Sequence, residues 1–168
     1  MSGKRITREF ETELPAKPED VFPLLCPVKE YDWIPEWRCE MLYSESGVAE
    51  LGCVFTTDFG DSYGLETWVV SNYEPAIRIC FVRTGRMRTT RYEILLKSHG
   101  DGSIIIWRQE ITGMNRQGDK LIEGYTEDAF RAIMEPLNSL LKHFLQTGEP
   151  LHLSLRELSS MHKARGGT

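Results

Sequence analysis

Between Asp119 and Thr147 lies the stretch that most constrains what the rest of the chain can do. At helical period, Ala129, Phe130, Ile133, Met134, Leu137, Leu140, Leu141, Phe144 and Leu145 fall within an arc of about 160°. Asp128, Arg131, Glu135, Asn138, Lys142, His143 and Gln146 fill the opposite side. Gly148 suits a left-handed C′ position, Lys142 and His143 lie near the negative end of the helix dipole, and Pro150 prevents continuation. One long helix with one apolar face must bury that face elsewhere, and nearly everything before it alternates as β-strands do. The pattern predicts an α+β fold in which a curved antiparallel sheet closes on this helix.

Taken from the start, residues 4 to 14 alternate Ile6, Arg8, Phe10, Thr12 and Leu14 against Thr7, Glu9, Glu11 and Glu13, as a half-buried strand does. Pro18-Glu19-Asp20 opens a short helix, Cys26-Pro27 closes it, and Val28 to Tyr31 forms a second short turn. Six further strands are predicted over 39–44, 53–58, 63–73, 77–84, 87–97 and 103–112, divided by turn-forming segments that include Glu45-Ser46-Gly47, Gly60-Asp61, Glu74-Pro75 and His99-Gly100-Asp101-Gly102. The expectation is seven strands, two short helices between the first and second, and one domain over 1–148. Residues 149–168 form a tail in which Leu151, Leu155 and Leu158 would dock a short helix.

Charge and composition narrow the function classes. No apolar run approaches the ~20 residues that cross a bilayer, so integral membrane association is not expected. The start, Met1-Ser2-Gly3-Lys4-Arg5-Ile6, lacks an apolar leader segment, which places the chain in the cytoplasm. A net charge of −5 and the absence of a nucleic-acid motif argue against nucleic-acid binding. The basic cluster Arg83, Arg86, Arg88 and Arg91 then reads as a solvated hairpin. Cys26, Cys39, Cys53 and Cys80 have no ligand spacing and read as small buried hydrophobes, so neither metal nor cofactor is expected.

The first strand, the segment Pro18-Glu19-Asp20-Val21-Phe22-Pro23-Leu24-Leu25-Cys26-Pro27-Val28-Lys29-Glu30-Tyr31-Asp32-Trp33-Ile34-Pro35-Glu36-Trp37 and the closing helix together resemble the START-like, polyketide-cyclase and lipid-transport superfamily, also called SRPBCC. The likeness covers about residues 4 to 147 and rests on element order. It implies the helix-grip fold and a cavity between sheet and helix that holds a hydrophobic small molecule. It also implies three kinds of member: ligand carriers or sensors, cyclases or dehydratases acting on a bound ketone, and protein-interaction modules. Binding without catalysis is the first reading, because no acid, base or nucleophile stands out of the pattern.

Alternation nominates the walls of such a cavity. Thr90, Tyr92, Ile94 and Leu96 should face the helix, as should Ile105, Trp107, Gln109 and Ile111, and the set Ile77, Ile79, Phe81 and Arg83. In 63–73 the sets Glu66-Trp68-Val70 and Leu65-Thr67-Val69 are not separable by pattern. Trp33 and Trp37 either guard an entrance or plug the core beside the short helices. The candidate ligand-binding residues are Trp33, Trp37, Trp68, Phe81, Arg83, Tyr92, Ile94, Trp107, Gln109 and Tyr125, facing Phe130, Met134, Leu137 and Leu141 on the helix. Glu66, Tyr92 and Gln109 are the candidates for polarising or deprotonating a ketone. An inward Arg83 would need a carboxylate, and Glu66 supplies one only if its strand faces in.

Overall fold

The computed structural model describes residues 3–165; residues 1–2 and 166–168, part of the amino-terminal and tail readings, lie outside them. Seven strands form one antiparallel sheet: β1 (Arg5–Leu14), β2 (Glu40–Tyr43), β3 (Val54–Thr57), β4 (Glu66–Glu74), β5 (Arg78–Gly85), β6 (Arg88–His99) and β7 (Gly102–Gly113). Their order is β1-β7-β6-β5-β4-β3-β2, so every neighbour from β2 to β7 is also a sequence neighbour. β1 joins the far edge through β7. The chain therefore has to cross from one edge of the sheet to the other after β1, and the short helices make that crossing: α1 (Pro18–Val21), a 3-10 turn at Phe22–Leu25 and a second at Glu30–Asp32.

The register stacks inward side chains in rows across the concave face. One row runs Phe10, Trp107, Ile94 and Ile79; the next runs Arg8, Gln109, Tyr92 and Phe81; a third runs Ile111, Thr90, Arg83, Trp68 and Phe55. The expected inward sets on β5, β6 and β7 are buried here, apart from exposed Ile77 and half-buried Arg83. The ambiguity on β4 resolves to Glu66, Trp68 and Val70, all buried.

The predicted single helix over 119–147 is two helices, α2 (Arg116–Glu123) and α3 (Glu127–Thr147). Each has its own N-cap. Asn115 Oδ1 accepts from the Gly118 amide at 2.9 Å, and Thr126 Oγ1 accepts from the Ala129 amide at 3.1 Å, with Glu127 and Asp128 in the first turn of α3. Gly118 also lets α2 lie on the β5–β6 turn, since a Cβ there would sit 1.8 Å from the Met87 carbonyl oxygen. α3 ends where expected, with Gly148 left-handed at φ 73° and its amide bonded to the Phe144 carbonyl. Pro136 lies inside α3 without ending it. Its missing N–H deprives the Ala132 carbonyl of a helical partner, and Ala132 is exposed, so water can take that place.

Two residues of α3 depart from the simple amphipathic reading. Asn138, expected on the polar side, is 2% exposed, and Ile133, expected in the apolar arc, is 48% exposed. Asn138 is inward because it fastens helix to sheet: Oδ1 accepts from Trp107 Nε1 at 3.0 Å and Nδ2 donates to the Met134 carbonyl at 2.8 Å. The tail forms α4 (Leu155–Arg165), packed on α3 with Leu158 buried. No helix among the described residues is long and apolar enough to cross a membrane.

Asn138→Leu keeps the volume and orphans the buried Trp107 N–H. Urea unfolding should show a loss of about 1–3 kcal/mol with an unchanged m-value; a loss below about 0.5 kcal/mol would mean that the bond does not hold helix to sheet.

Candidate ligand-binding site

A cavity of about 370 Å³ lies between the concave face of the sheet, α3 and the segment after α1. Of the residues predicted for its walls, Trp37, Trp68, Phe81, Arg83, Tyr92, Ile94, Trp107, Gln109, Tyr125, Met134 and Leu137 line it. Trp33, Phe130 and Leu141 do not. Trp33 is fully buried with Nε1 donating to the Leu24 carbonyl at 2.9 Å, so it is the plug, while Trp37 lines the cavity. Phe130 packs edge-on to Tyr125, and Leu141 sits in the core beyond the cavity, because the apolar arc of α3 is wider than the opening it faces. The walls also include Glu30, Ile34, Glu36, Phe55, Phe59, Asp61, Tyr63, Arg88, Ile133 and Leu155.

The three wall tryptophans present ring faces and no free N–H. Trp37 Nε1 donates to the Pro27 carbonyl at 2.7 Å, Trp68 Nε1 to Thr57 Oγ1 at 2.9 Å, and Trp107 Nε1 to Asn138. Phe55 stacks on Trp68, with ring centres 5.4 Å apart, and Phe81 meets the same indole edge-on at 5.7 Å. These bonds turn amphipathic residues into apolar wall.

Glu66 is buried behind this wall, not in it. Arg88 grips it with two bonds, Nε to Oε1 at 2.8 Å and Nη2 to Oε2 at 3.0 Å, and Arg83 Nε lies 2.7 Å from Oε2. The two guanidiniums in turn lie over rings, Arg88 on Tyr63 at 3.4 Å and Arg83 on Trp68 at 4.7 Å. The reading of Arg88 as part of a solvated hairpin is therefore wrong: it is 3% exposed, because its place on β6 shares the inward parity of Thr90 and Tyr92. Glu66, satisfied on both oxygens, is poorly placed to take a ligand proton.

Glu30 is the cavity-lining acid that sequence reasoning missed. It sits in the second 3-10 turn, held by its amide to the Cys26 carbonyl at 2.9 Å and by the Ile34 amide to its own carbonyl at 2.8 Å. The turn aims its side chain into the cavity, and among the described residues no hydrogen bond or ion pair reaches its carboxyl. Burial pushes that carboxyl up to about 8. Tyr92 lies within its electrostatic reach, and the Gln109 amide bonds the Tyr92 hydroxyl from the directly opposed position on β7. Burial raises the Tyr92 hydroxyl far above its ordinary range, so it remains a donor, and Tyr125 is pushed up to about 12 by the same cause. The signal available in the sequence was an acid between Pro27 and Trp33, in a segment otherwise supplying core; only the turn geometry shows which way it points.

Two carboxylates near one cavity should thus respond oppositely to loss of charge. Glu66→Gln leaves two guanidiniums without their counter-ion and should cost about 3–5 kcal/mol in urea unfolding. For Glu30 the folded group holds its proton to about 8 while the unfolded group releases it near 4.5. Its contribution is therefore fully present below about 4.5 and is lost as pH rises through about 8. Glu30→Gln should stabilise the fold by about 1–3 kcal/mol near pH 9, a figure reduced for its partial exposure, and by almost nothing near pH 4.5. A pH-independent difference would place the carboxyl in solvent.

No family model matches the sequence, and no curated protein matches it significantly. Solved structures do match in fold. An uncharacterised protein of Rhizobium leguminosarum is 15% identical with a TM-score of 0.63, covering 86% of this chain and 97% of its own. Norcoclaurine synthase of Thalictrum flavum, solved with a transition-state analogue, is 13% identical with a TM-score of 0.64, over 87% of this chain and 97% of its own. CalU16 of Micromonospora echinospora is 14% identical with a TM-score of 0.57, over 98% of this chain and 96% of its own. With its seven-stranded curved sheet closed on α3, this chain has a helix-grip fold, the fold these structures share with it.

Proposed function

We propose that this protein binds a hydrophobic or aromatic small molecule between the sheet and α3, as a carrier or sensor. The observation that carries the reading is the cavity itself: about 370 Å³, walled by aromatic rings whose polar hydrogens are already bonded within the protein. A packed core of this size would not leave such a space on one face of a long helix. The binding domain is residues 1–148, with the tail completing one wall through Leu155. The four free thiols suit a reducing compartment such as the cytoplasm. The commitment of Arg83 and Arg88 to Glu66 reduces the basic hairpin to Arg86 and Arg91, and Arg91 pairs with Glu110 at 3.3 Å, which weakens the interaction-module and nucleic-acid readings.

One observation favours a second reading, an enzyme of the cyclase or dehydratase kind. A carboxyl that exchanges its proton near neutral pH, beside a Tyr92 hydroxyl able to donate to a carbonyl oxygen, is a combination that could deprotonate and polarise a bound ketone. Turnover of a cyclic ketone library with solvent deuterium exchange would reveal it, and Glu30→Gln should abolish the exchange.

Binding of neutral N-phenylnaphthylamine, followed by its fluorescence, tests the container reading. Met134→Trp fills the space and should reduce dye binding at least tenfold while the fold survives. If wild type binds no apolar probe and Met134→Trp instead costs about 1 to 3 kcal/mol, the interior is packed core and the reading fails.

A further inference from the structure

The charges around the cavity are unequal in a way that selects a ligand. Its lining contains two cations, Arg83 and Arg88, and both are held by Glu66 at 2.7 to 3.0 Å and stacked on rings. Arg88 is held by two bonds, whereas Arg83 reaches the same carboxylate through Nε alone. The acids of the lining are Glu30, Glu36 and Asp61, and of these Asp61 Oδ1 is occupied in its own turn by the amides of Tyr63 and Gly64. Among the described residues the Glu30 carboxyl has no partner, and it is the one within electrostatic reach of Tyr92.

We propose that the ligand is an apolar, ring-bearing amine, with its ammonium group on the Glu30 carboxylate and its rings against Trp68, Phe81, Tyr92 and Trp107. The inference rests on the container reading and adds the ligand class to it. The surroundings of Glu30 favour this pairing. From the sheet it is faced by Tyr92 and Gln109, with Arg83 and Arg88 further along the same wall; from the loop before β4 by Asp61 and Tyr63; from the α2–α3 connection by Tyr125; and from its own segment by Glu36 and, within electrostatic range, Cys39. The wall residues supplied by α3, Ile133, Met134 and Leu137, bring no charge. Among the described residues no cation pairs with Glu30. A ligand ammonium would supply one, in a site where low polarity strengthens the pair and ring faces add cation–π attraction. A ligand carboxylate beside Glu30 would meet that acid and would be drawn instead toward Arg83.

Binding has to ionise Glu30, so the pair carries a proton signature. In the free protein the carboxyl is largely protonated at pH 7, and docking of an ammonium displaces that proton to solvent. Amine affinity should therefore rise up to about tenfold per pH unit from pH 6 towards pH 8, while a neutral ligand shows no such rise.

Naphthylethylamine, naphthylethanol and naphthylacetate present the same rings with cationic, neutral and anionic ends, and quenching of the wall tryptophans reports their binding. At pH 7 the amine should bind wild type at least tenfold tighter than the alcohol. Glu30→Gln should bring the amine to within about twofold of the alcohol measured on the same variant. Calorimetry of wild type in two buffers of different ionisation heat should show net proton release on amine binding at pH 7, a readout that needs no variant. Equal affinities for amine and alcohol, or an amine preference that survives Glu30→Gln, would overturn the ligand class while leaving the container standing. No binding of any of the three to wild type would overturn both.

Discussion

A polar atom removed from water must find a partner or carry a free-energy penalty, and that constraint shapes the interior of this protein. Three indole N–H groups of the cavity wall are taken by a loop carbonyl, a threonine hydroxyl and Asn138. Glu66 is taken by two arginines, and those arginines are taken by Glu66 and by two rings. Each bond withdraws polarity from the cavity and leaves carbon surface behind. Glu30 stands apart because among the described residues no such bond reaches its carboxyl.

The same bonds explain why a space exists. A sheet curved around a helix meets it along a limited line, and side chains fill the gap only where both surfaces offer length. At one end Trp107 and Asn138 join across the gap; toward the mouth the helix offers Ile133, Met134 and Leu137 against residues held back on the sheet by their own partners. The rings around Trp68 pack on one another instead of reaching toward α3. Arg83, which has the reach to cross, is drawn sideways to Glu66.

The architecture was legible because it rests on periodicities. Alternation located all seven strands to within about three residues and set the inward faces of β6 and β7; Gly148 and Pro150 marked the end of α3. Two of the failures have a common cause. Arg88 and Asn138 were assigned to the surface by residue type although their positions on β6 and α3 point inward, because a side chain that is polar alone is apolar in effect once paired. The helix over 119–147 was read as continuous because Asn115 and Thr126, which cap two separate helices, were not weighed against the apolar pattern between them. Glu30 was invisible for a different reason: it lies in a 3-10 turn, where no period of two or 3.6 tells which side chain faces in.

The central claim is that the Glu30 carboxyl is buried in the cavity without a partner among the described residues. Titration of the Glu30 side-chain carboxyl carbon by NMR in the ligand-free protein addresses it directly, with Glu30→Gln to assign the resonance. A single transition with its midpoint near 8 is the result predicted here. A midpoint near the ordinary 4.5 would show the carboxyl in water or paired, and would contradict the account of the site.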